Sequence, residues 1–454
     1  MTQHEVDLVV IGAGPGGEAL ANGAAKAGLE VVVVDRHLVG GECPYYGCIP
    51  TKMMVRASDA VAEVRRASSL AGDASIVPSW APVATRIDED ATTHWDDTIA
   101  VDRLQDAGAT VRHGVARLAG VGTVEVDGDT YVARRGVVLN TGTRPAVPPV
   151  EGLEGTPFWT NRDAVRVTEL PGSLVVIGGG PIGCELAQVF ARFGVRVTVV
   201  QHGSRLLEVN EPEASELLAQ VFAEDGIRVL TSVDATRAAY ADGAFTLELS
   251  NGERLTADKV LVAAGRTPNL DDLGLETVGL DPTARTIPVD EWLRAGEKLW
   301  AIGDVTGHGA FTHMSMYQSA IALRDVLEQG GEPARYHAVP HVTFTDPEVA
   351  GVGMTEQAAR DAGLNVRTGS TDLAQSSRGF THGPGGHGLV KVVEDADRGV
   401  LVGATVVGPA GGEILGFLAV AVHAEVPVAT LRTMIYAYPT FHRAIESALA
   451  DLGD

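Results

Sequence analysis

A unit of strand, glycine loop, helix and strand occurs twice in this chain, and that duplication limits the possible folds more than any other feature. Residues 8–35 read LVVIGAGPGGEALANGAAKAGLEVVVVD and residues 174–201 read LVVIGGGPIGCELAQVFARFGVRVTVVQ; the offset is 166 throughout, and 15 of the 28 positions are identical. Each copy passes from a short apolar run through glycines into a stretch of helical period, then into a Val-rich strand. Gly12, Gly14 and Gly17 form G-x-G-x-x-G in the first copy, and Gly178, Gly180 and Gly183 form it in the second. The first glycine permits a tight turn, the second lets the backbone reach a pyrophosphate, and the third lets helix and strand pack closely. The helix N-terminus adds partial positive charge for the phosphates. One such loop is common; two matched copies predict two dinucleotide-binding βαβ units.

The two copies end differently. The first ends at Asp35, a carboxylate able to hold both hydroxyls of an adenosine ribose. The second ends at Gln201, followed by His202 and Arg205. With no acid there, a ribose 2′-phosphate is not repelled, and His202 and Arg205 can pair with it. Gly183, in place of the alanine common in phosphate-accepting loops, points the other way, and the two cations also read as solvated loop residues. NADPH is therefore favoured modestly over NADH.

Composition excludes several partners. There are 59 acidic against 35 basic residues, a net charge of −24, which argues against nucleic acid and anionic membranes. Three cysteines in 454 residues exclude a disulfide-stapled secreted scaffold. No basic leader precedes the first strand, and the apolar stretch around residues 414–431 is interrupted by His423, Glu425 and Pro427. A cytoplasmic protein without a membrane segment is expected.

Two of the cysteines, Cys43 and Cys48, fall in GGECPYYGCIPTK at residues 40–52. Pro50 predicts a helix from that point to about Arg66, with Cys48 near its N-terminus, where the dipole favours a thiolate. The two sulfurs can close a small ring. A zinc half-site and two inert core thiols are the alternatives, but no further Cys or His cluster completes four ligands, so no metal site is expected. Cys184, inside the second glycine loop, reads as packing.

Residues 40–52 resemble the GGxCxxxGCxPxK motif of the class I pyridine nucleotide-disulfide oxidoreductases, flavoproteins with a redox disulfide. The resemblance runs along the chain in order. Thr141-Gly142-Thr143-Arg144-Pro145 is similar to the family's TGxxP turn, and Ala264-Gly265-Arg266-Thr267-Pro268-Asn269 to its AGRxPN segment. Leu299-Trp300-Ala301-Ile302-Gly303-Asp304 is similar to its second flavin motif. The resemblance implies an α/β protein of two Rossmann-like domains, for FAD and NAD(P), plus a C-terminal α+β dimerisation domain. Residues 1–150 and 266–335 would form a split FAD domain, 151–265 the NAD(P) domain and 336–454 the interface of a homodimer. The implied FAD set is Gly12, Gly14, Gly17, Asp35, Gly41, Lys52, Thr141, Gly142, Gly303 and Asp304. The implied nicotinamide set is Gly178, Gly180, Gly183, Gln201, His202, Arg205, Gly265 and Arg266.

The same resemblance implies that hydride passes from nicotinamide to flavin and then to the Cys43–Cys48 disulfide. Cys48 would face the flavin and Cys43 would attack substrate, with Lys52 near the flavin and Glu185 as its carboxylate partner. The chain departs from the family at its C-terminus. Where disulfide-reducing members carry His-Pro-x-x-x-Glu, Tyr438 and Arg443 stand in the histidine and glutamate positions. A phenol is a poor base near neutrality. His442 and Glu446 are four apart and could form a displaced dyad on one helix face, or an ordinary surface ion pair. Glu42, where many members have Thr, would disfavour a Cys43 thiolate if it points inward. These departures favour a small-molecule electron acceptor needing no thiol protonation, such as a quinone or metal ion, or an unusual disulfide. A dihydrolipoamide-dehydrogenase-like enzyme with a substitute base is the alternative within the family, and a flavoprotein redox sensor with little turnover is the alternative outside enzymes. The tail after residue 447 carries no cysteine pair, so mercuric reduction in the family's usual form is not expected.

Overall fold

The computed structural model describes residues 2–453, which separate into two compact units. The first takes the chain up to Pro50, then Thr85–Ala146 and Arg266–Tyr336. The second takes Thr51–Ala84, Val147–Gly265 and the chain from His337 onward.

The first unit is built on a twisted sheet in the order Arg294–Gly296, Leu299–Ala301, Asp129–Leu139, Gln3–Ile11, Val31–Asp35 and Thr110–His113. The strand Gln3–Ile11 pairs in parallel with both Val31–Asp35 and Asp129–Leu139. Val31, Val32, Val33 and Val34 are all buried, the unbroken apolar run expected of a parallel strand covered on both faces. One face packs against Leu20, Ala21 and Ala24 of the helix Pro15–Lys26, and the other covers a cluster that includes Leu118, Val126, Leu273 and Ile287.

In the second unit, the strands Arg228–Thr231, Arg196–Gln201, Ser173–Ile177 and Lys259–Val262 form an all-parallel sheet. The two fingerprints keep one register: Leu8 pairs with Val31, and Leu174 with Val197, each 166 residues on. The same unit carries an antiparallel sheet of five strands in the order Pro340–Thr343, Glu348–Gly353, Val400–Gly408, Leu389–Asp395 and Val366–Asp372. The helices Gly411–His423 and Ala444–Asp451 pack on it through Leu415, Leu418, Ile445 and Leu449. The apolar stretch near residue 420 is thus a core helix that ends at His423. Among the described residues, no helix is long and apolar enough to cross a membrane.

The redox segment differs from expectation at its start. Its helix spans Cys48–Ala67, two residues earlier than Pro50 suggested, so Cys48 is the first helical residue. Pro50 lies in the first turn, where its missing N–H is not needed.

Candidate active site

Within the first unit, the glycine loop has the geometry that a dinucleotide requires. Gly12 has φ +96°, and a Cβ there would meet the Asn140 carbonyl oxygen at 2.3 Å. A Cβ on Gly17 would lie 2.1 Å from the Gly12 carbonyl, so the helix and loop meet at backbone distance. Asp35 at the end of its strand accepts from Ala13 N at 2.7 Å through one carboxylate oxygen and from His37 N at 2.8 Å through the other. Those two bonds fix the carboxylate beside the glycine loop. The Asn140 side chain braces the loop from below, donating to the Gly12 carbonyl at 3.2 Å and accepting from Ser315 Oγ at 3.2 Å.

The TGxxP and AGRxPN segments form one object. Thr143–Pro145 and Arg266–Pro268 pair as a short antiparallel ribbon, and Asn269 closes it by donating to the Thr141 carbonyl through Nδ2 and to the Gly142 carbonyl through its backbone N–H, both at 2.9 Å. Thr143 Oγ1 donates to Asp304 Oδ2 at 2.6 Å, tying the ribbon to the second flavin motif. Thr141 Oγ1 is buried without a hydrogen-bond partner. A buried hydroxyl is rarely left so, and here it marks a place where a ligand's polar atom would complete the site. The glycine cradle, Asp35, Thr141 and Asp304 together fit FAD.

The two cysteines of residues 40–52 sit on neighbouring turns. Cys43 lies in the short helical turn Glu42–Tyr45, whose Glu42 carbonyl accepts from Tyr46 N at 2.9 Å and Gly47 N at 2.7 Å. Gly47 packs closely on this turn, and a Cβ there would lie 3.2 Å from the Glu42 carbonyl. Tyr45 anchors the turn, its hydroxyl donating to the Val39 carbonyl at 3.2 Å, while its own carbonyl accepts from Trp95 Nε1 at 3.2 Å. Burial pushes the Tyr45 phenol up to about 12, so it stays a neutral donor. Cys43 is half-buried and Cys48 exposed, with Cys48 Sγ 3.4 Å from Thr312 Oγ1 at the start of the helix Thr312–Val326. Nothing local in the sequence marks Thr312 as a neighbour of Cys48, from which it is 264 residues distant.

Glu42 is engaged as well. Its Oε2 accepts from Arg266 Nη2 at 3.1 Å, while Arg266 Nε donates to Thr143 Oγ1 at 2.6 Å and Nη2 to the Thr143 carbonyl at 2.8 Å. Arg266, expected in the nicotinamide set, is thus committed to the redox turn and the flavin-motif ribbon of the first unit. The reason is the short ribbon it begins, which carries its guanidinium over Thr143.

In the second unit, the second glycine loop repeats the backbone contacts of the first. Gly178 has φ +113° and a Cβ there would meet the Ala263 carbonyl at 2.3 Å; a Cβ on Gly183 would lie 2.0 Å from the Gly178 carbonyl. Gln201 Oε1 accepts from Gly179 N at 2.7 Å, as Asp35 does from Ala13. Around Gly180 and Gly265 a Cβ would meet nothing within 4 Å, which leaves the outer side of the loop open. These residues fit a nicotinamide dinucleotide.

The two cations read as 2′-phosphate partners are placed differently. His202 is exposed, with Nδ1 2.7 Å from Asp234 Oδ1. Arg205 is spent on its own loop, donating to the carbonyls of Asn210 and Glu208 at 2.8 Å and to Ser215 Oγ at 2.9 Å. Cys184 is fully buried and donates to the Gly179 carbonyl at 3.3 Å, and burial pushes its thiol well above the usual range.

Lys52 and Glu185 meet within this unit. Lys52 Nζ donates to Glu185 Oε2 at 2.7 Å and lies over the Phe344 ring at 4.6 Å. The buried Glu185 also accepts from Phe344 N at 2.9 Å, which fixes the carboxylate and through it the ammonium.

The displaced C-terminal dyad does not form. The last helix begins at Ala444, leaving His442 in the turn before it, and Glu446 accepts from Arg443 Nη2 at 3.0 Å. The Arg443 guanidinium also lies over the Tyr438 ring at 5.6 Å, and Tyr438 is 70% exposed. The residue standing in the family's glutamate position has thus taken the carboxylate that His442 needed.

Comparison with known proteins agrees with this geometry. A family model described as pyridine nucleotide-disulphide oxidoreductase matches residues 6–322, and the dimerisation domain of the same family matches residues 339–449. The chain belongs to the pyridine nucleotide-disulphide oxidoreductase family, whose members are FAD-dependent enzymes working with NAD(P)H. It is 34% identical to a dihydrolipoyl dehydrogenase of Thermus scotoductus, over 97% of this chain and 96% of that one. It is 32% identical to a mercuric reductase of Acidithiobacillus ferrooxidans, over 98% of this chain and 82% of the other. Among solved structures, the Cu(II) complex of the HOCl-induced flavoprotein disulfide reductase RclA from Escherichia coli matches with a TM-score of 0.87 and 25% identity, covering 98% of this chain and 99% of that one.

Proposed function

We propose that the chain is an NAD(P)H oxidoreductase that cycles a Cys43–Cys48 disulfide and passes electrons to a quinone, a metal ion or an unusual disulfide, rather than to dihydrolipoamide or a glutathione-like substrate. The observation carrying this reading is the Arg443–Glu446 pair beside Tyr438. It leaves the position of the family's acid–base histidine to a phenol and its carboxylate to a guanidinium, so a dithiol or disulfide substrate finds no group there that both gives and takes a proton near neutrality. Similarity to a mercuric reductase and to a protein studied as a Cu(II) complex supports a metal-ion acceptor among the candidates.

In this reading, residues 1–150 and 266–335 hold FAD, 151–265 hold the nicotinamide and 336–454 form the interface of a homodimer. FAD bound there would supply a carrier able to accept hydride and pass on two electrons. The protein's own part is positional. Asp35 and the Gly12 loop hold the adenosine end, and Thr141 and Asp304 hold the middle of the cofactor. Lys52, fixed by Glu185, supplies a cation one helical turn after Cys48 in sequence. Thr312 Oγ1 lies 3.4 Å from Cys48 Sγ, placed to donate to a thiolate formed there. NADPH keeps a modest advantage through the uncharged Gln201 and through His202.

The test is anaerobic reduction by NADPH and by NADH, followed by stopped-flow reoxidation with a panel of disulfides, quinones and metal ions. Quinones or metal ions should reoxidise the enzyme faster than lipoamide or glutathione disulfide does. Rapid reduction of NAD⁺ by dihydrolipoamide would overturn the reading, and slow reoxidation by every acceptor would favour the sensor.

A further inference from the structure

We propose that Glu42 and Arg266 are a positioning pair that sets the nucleophilicity of Cys43, the guanidinium offsetting a carboxylate built next to the interchange thiol. The inference rests on the reading of Cys43 and Cys48 as a redox pair.

Glu42 opens the helical turn whose second residue is Cys43, so carboxylate and thiol are on adjacent residues of one turn, and the carboxylate is tied to Arg266 by one hydrogen bond. Arg266 is held at both ends of its fork: Nη2 reaches Glu42 and the Thr143 carbonyl, and Nε reaches Thr143 Oγ1. That hydroxyl in turn donates to Asp304. The chain of donors and acceptors is ordered: it joins the guanidinium directly to Glu42 and, through the Thr143 hydroxyl, to Asp304. Glu42 and Arg266 have side chains 26% and 20% exposed, so their charges are only partly screened by water. A carboxylate beside a thiol disfavours its thiolate and a guanidinium favours it. The reactivity of Cys43 is therefore the difference of two opposed fields, and each can be removed separately. The arrangement also joins the redox turn to Asp304, so that cysteine and flavin anchor share one set of hydrogen bonds.

The experiment uses the FAD-loaded enzyme, reduced with dithiothreitol and desalted anaerobically, with iodoacetamide as the probe. The Cys43 thiolate displaces iodide from iodoacetamide, forming a carbon–sulfur bond, and the rate is followed by peptide mass at fixed pH. Glu42→Gln should speed Cys43 alkylation about five-fold, and Arg266→Gln should slow it by about the same factor. The double variant should fall within about two-fold of the parent. Arg266→Lys keeps the charge but loses the fork, and should stay near the parent rate. A purely structural role loosens the turn in every variant and moves all rates the same way, which overturns the proposal; so does an Arg266→Lys rate equal to that of Arg266→Gln. A parent enzyme whose Cys43 and Cys48 do not interconvert with a disulfide in glutathione redox buffers would instead overturn the redox-pair reading itself.

Discussion

At the scale of single residues, the two dinucleotide loops differ at one atom that matters. Asp35 and Gln201 make the same bond to the loop N–H, at 2.7 Å in each case. Beyond that bond, Asp35 presents a second carboxylate oxygen, whereas Gln201 presents an amide N–H₂. The first accepts ribose hydroxyls and repels phosphate; the second donates to either. Gln201→Glu should therefore move the ratio of kcat/KM for NADPH over NADH toward NADH by about ten-fold or more, roughly 1.4 kcal/mol. Arg205→Ala should leave that ratio almost unchanged and lower the denaturation midpoint, because its donors hold the Asn210 and Glu208 carbonyls. Steady-state kinetics with both nicotinamides decides between them. A collapse of NADPH use in the Arg205 variant would show that the arginine leaves its loop to meet phosphate.

At the scale of elements, the helix Cys48–Ala67 carries the redox cysteine at one end and is pinned along its length by buried charge. Arg192, 1% exposed, donates to Asp59 at 3.1 Å, Asp225 at 3.1 Å and Asp346 at 2.8 Å, and Arg66 reaches Asp346 at 2.7 Å. Three carboxylates around so few cations overload the cluster. Burial, and then the neighbouring Asp346 charge, raise the Asp59 carboxyl to about 6, although Arg192 opposes both. Its proton is held more tightly in the folded chain than in the unfolded one, so its contribution to stability is complete below the ordinary carboxylate pKa of about 4. That contribution is lost as pH rises through about 6. Asp59→Asn imitates the protonated form, and its urea midpoint should gain on that of the parent between pH 5 and pH 7.5. A gap that does not change with pH would mean that Arg192 keeps Asp59 ionised throughout. None of this cluster was legible in the sequence, since its members are scattered over nearly three hundred residues and no spacing relates them. The glycine loops and the cysteine segment were legible because their chemistry needs a fixed local spacing. The pairing of Glu42 with Arg266 lies between these cases: each sits in a recognisable motif, but the contact spans 224 residues and follows from the ribbon joining two motifs. The displaced His442–Glu446 dyad failed for a local reason, a helix that starts two residues too late.

At the scale of the whole molecule, the excess of 24 negative charges bears on the acceptor. It cannot name a ligand, but it sets the sign of the field that an approaching electron acceptor meets. A cationic acceptor such as a divalent metal ion is drawn in, a neutral quinone is indifferent and an anionic oxidant is repelled. Salt shortens the reach of that field to about 10 Å at 0.1 M. With the nicotinamide saturating, so that its own negative charge does not enter, kcat/KM for a divalent cation should fall by about ten-fold between 10 mM and 300 mM salt. The value for a neutral quinone should stay level, and that for ferricyanide should rise. The comparison separates two acceptor classes that the site geometry leaves together, because both avoid the need for a thiol-protonating base. A cation response as flat as that of the quinone would place the acceptor's entry where local charge cancels the field of the rest of the chain.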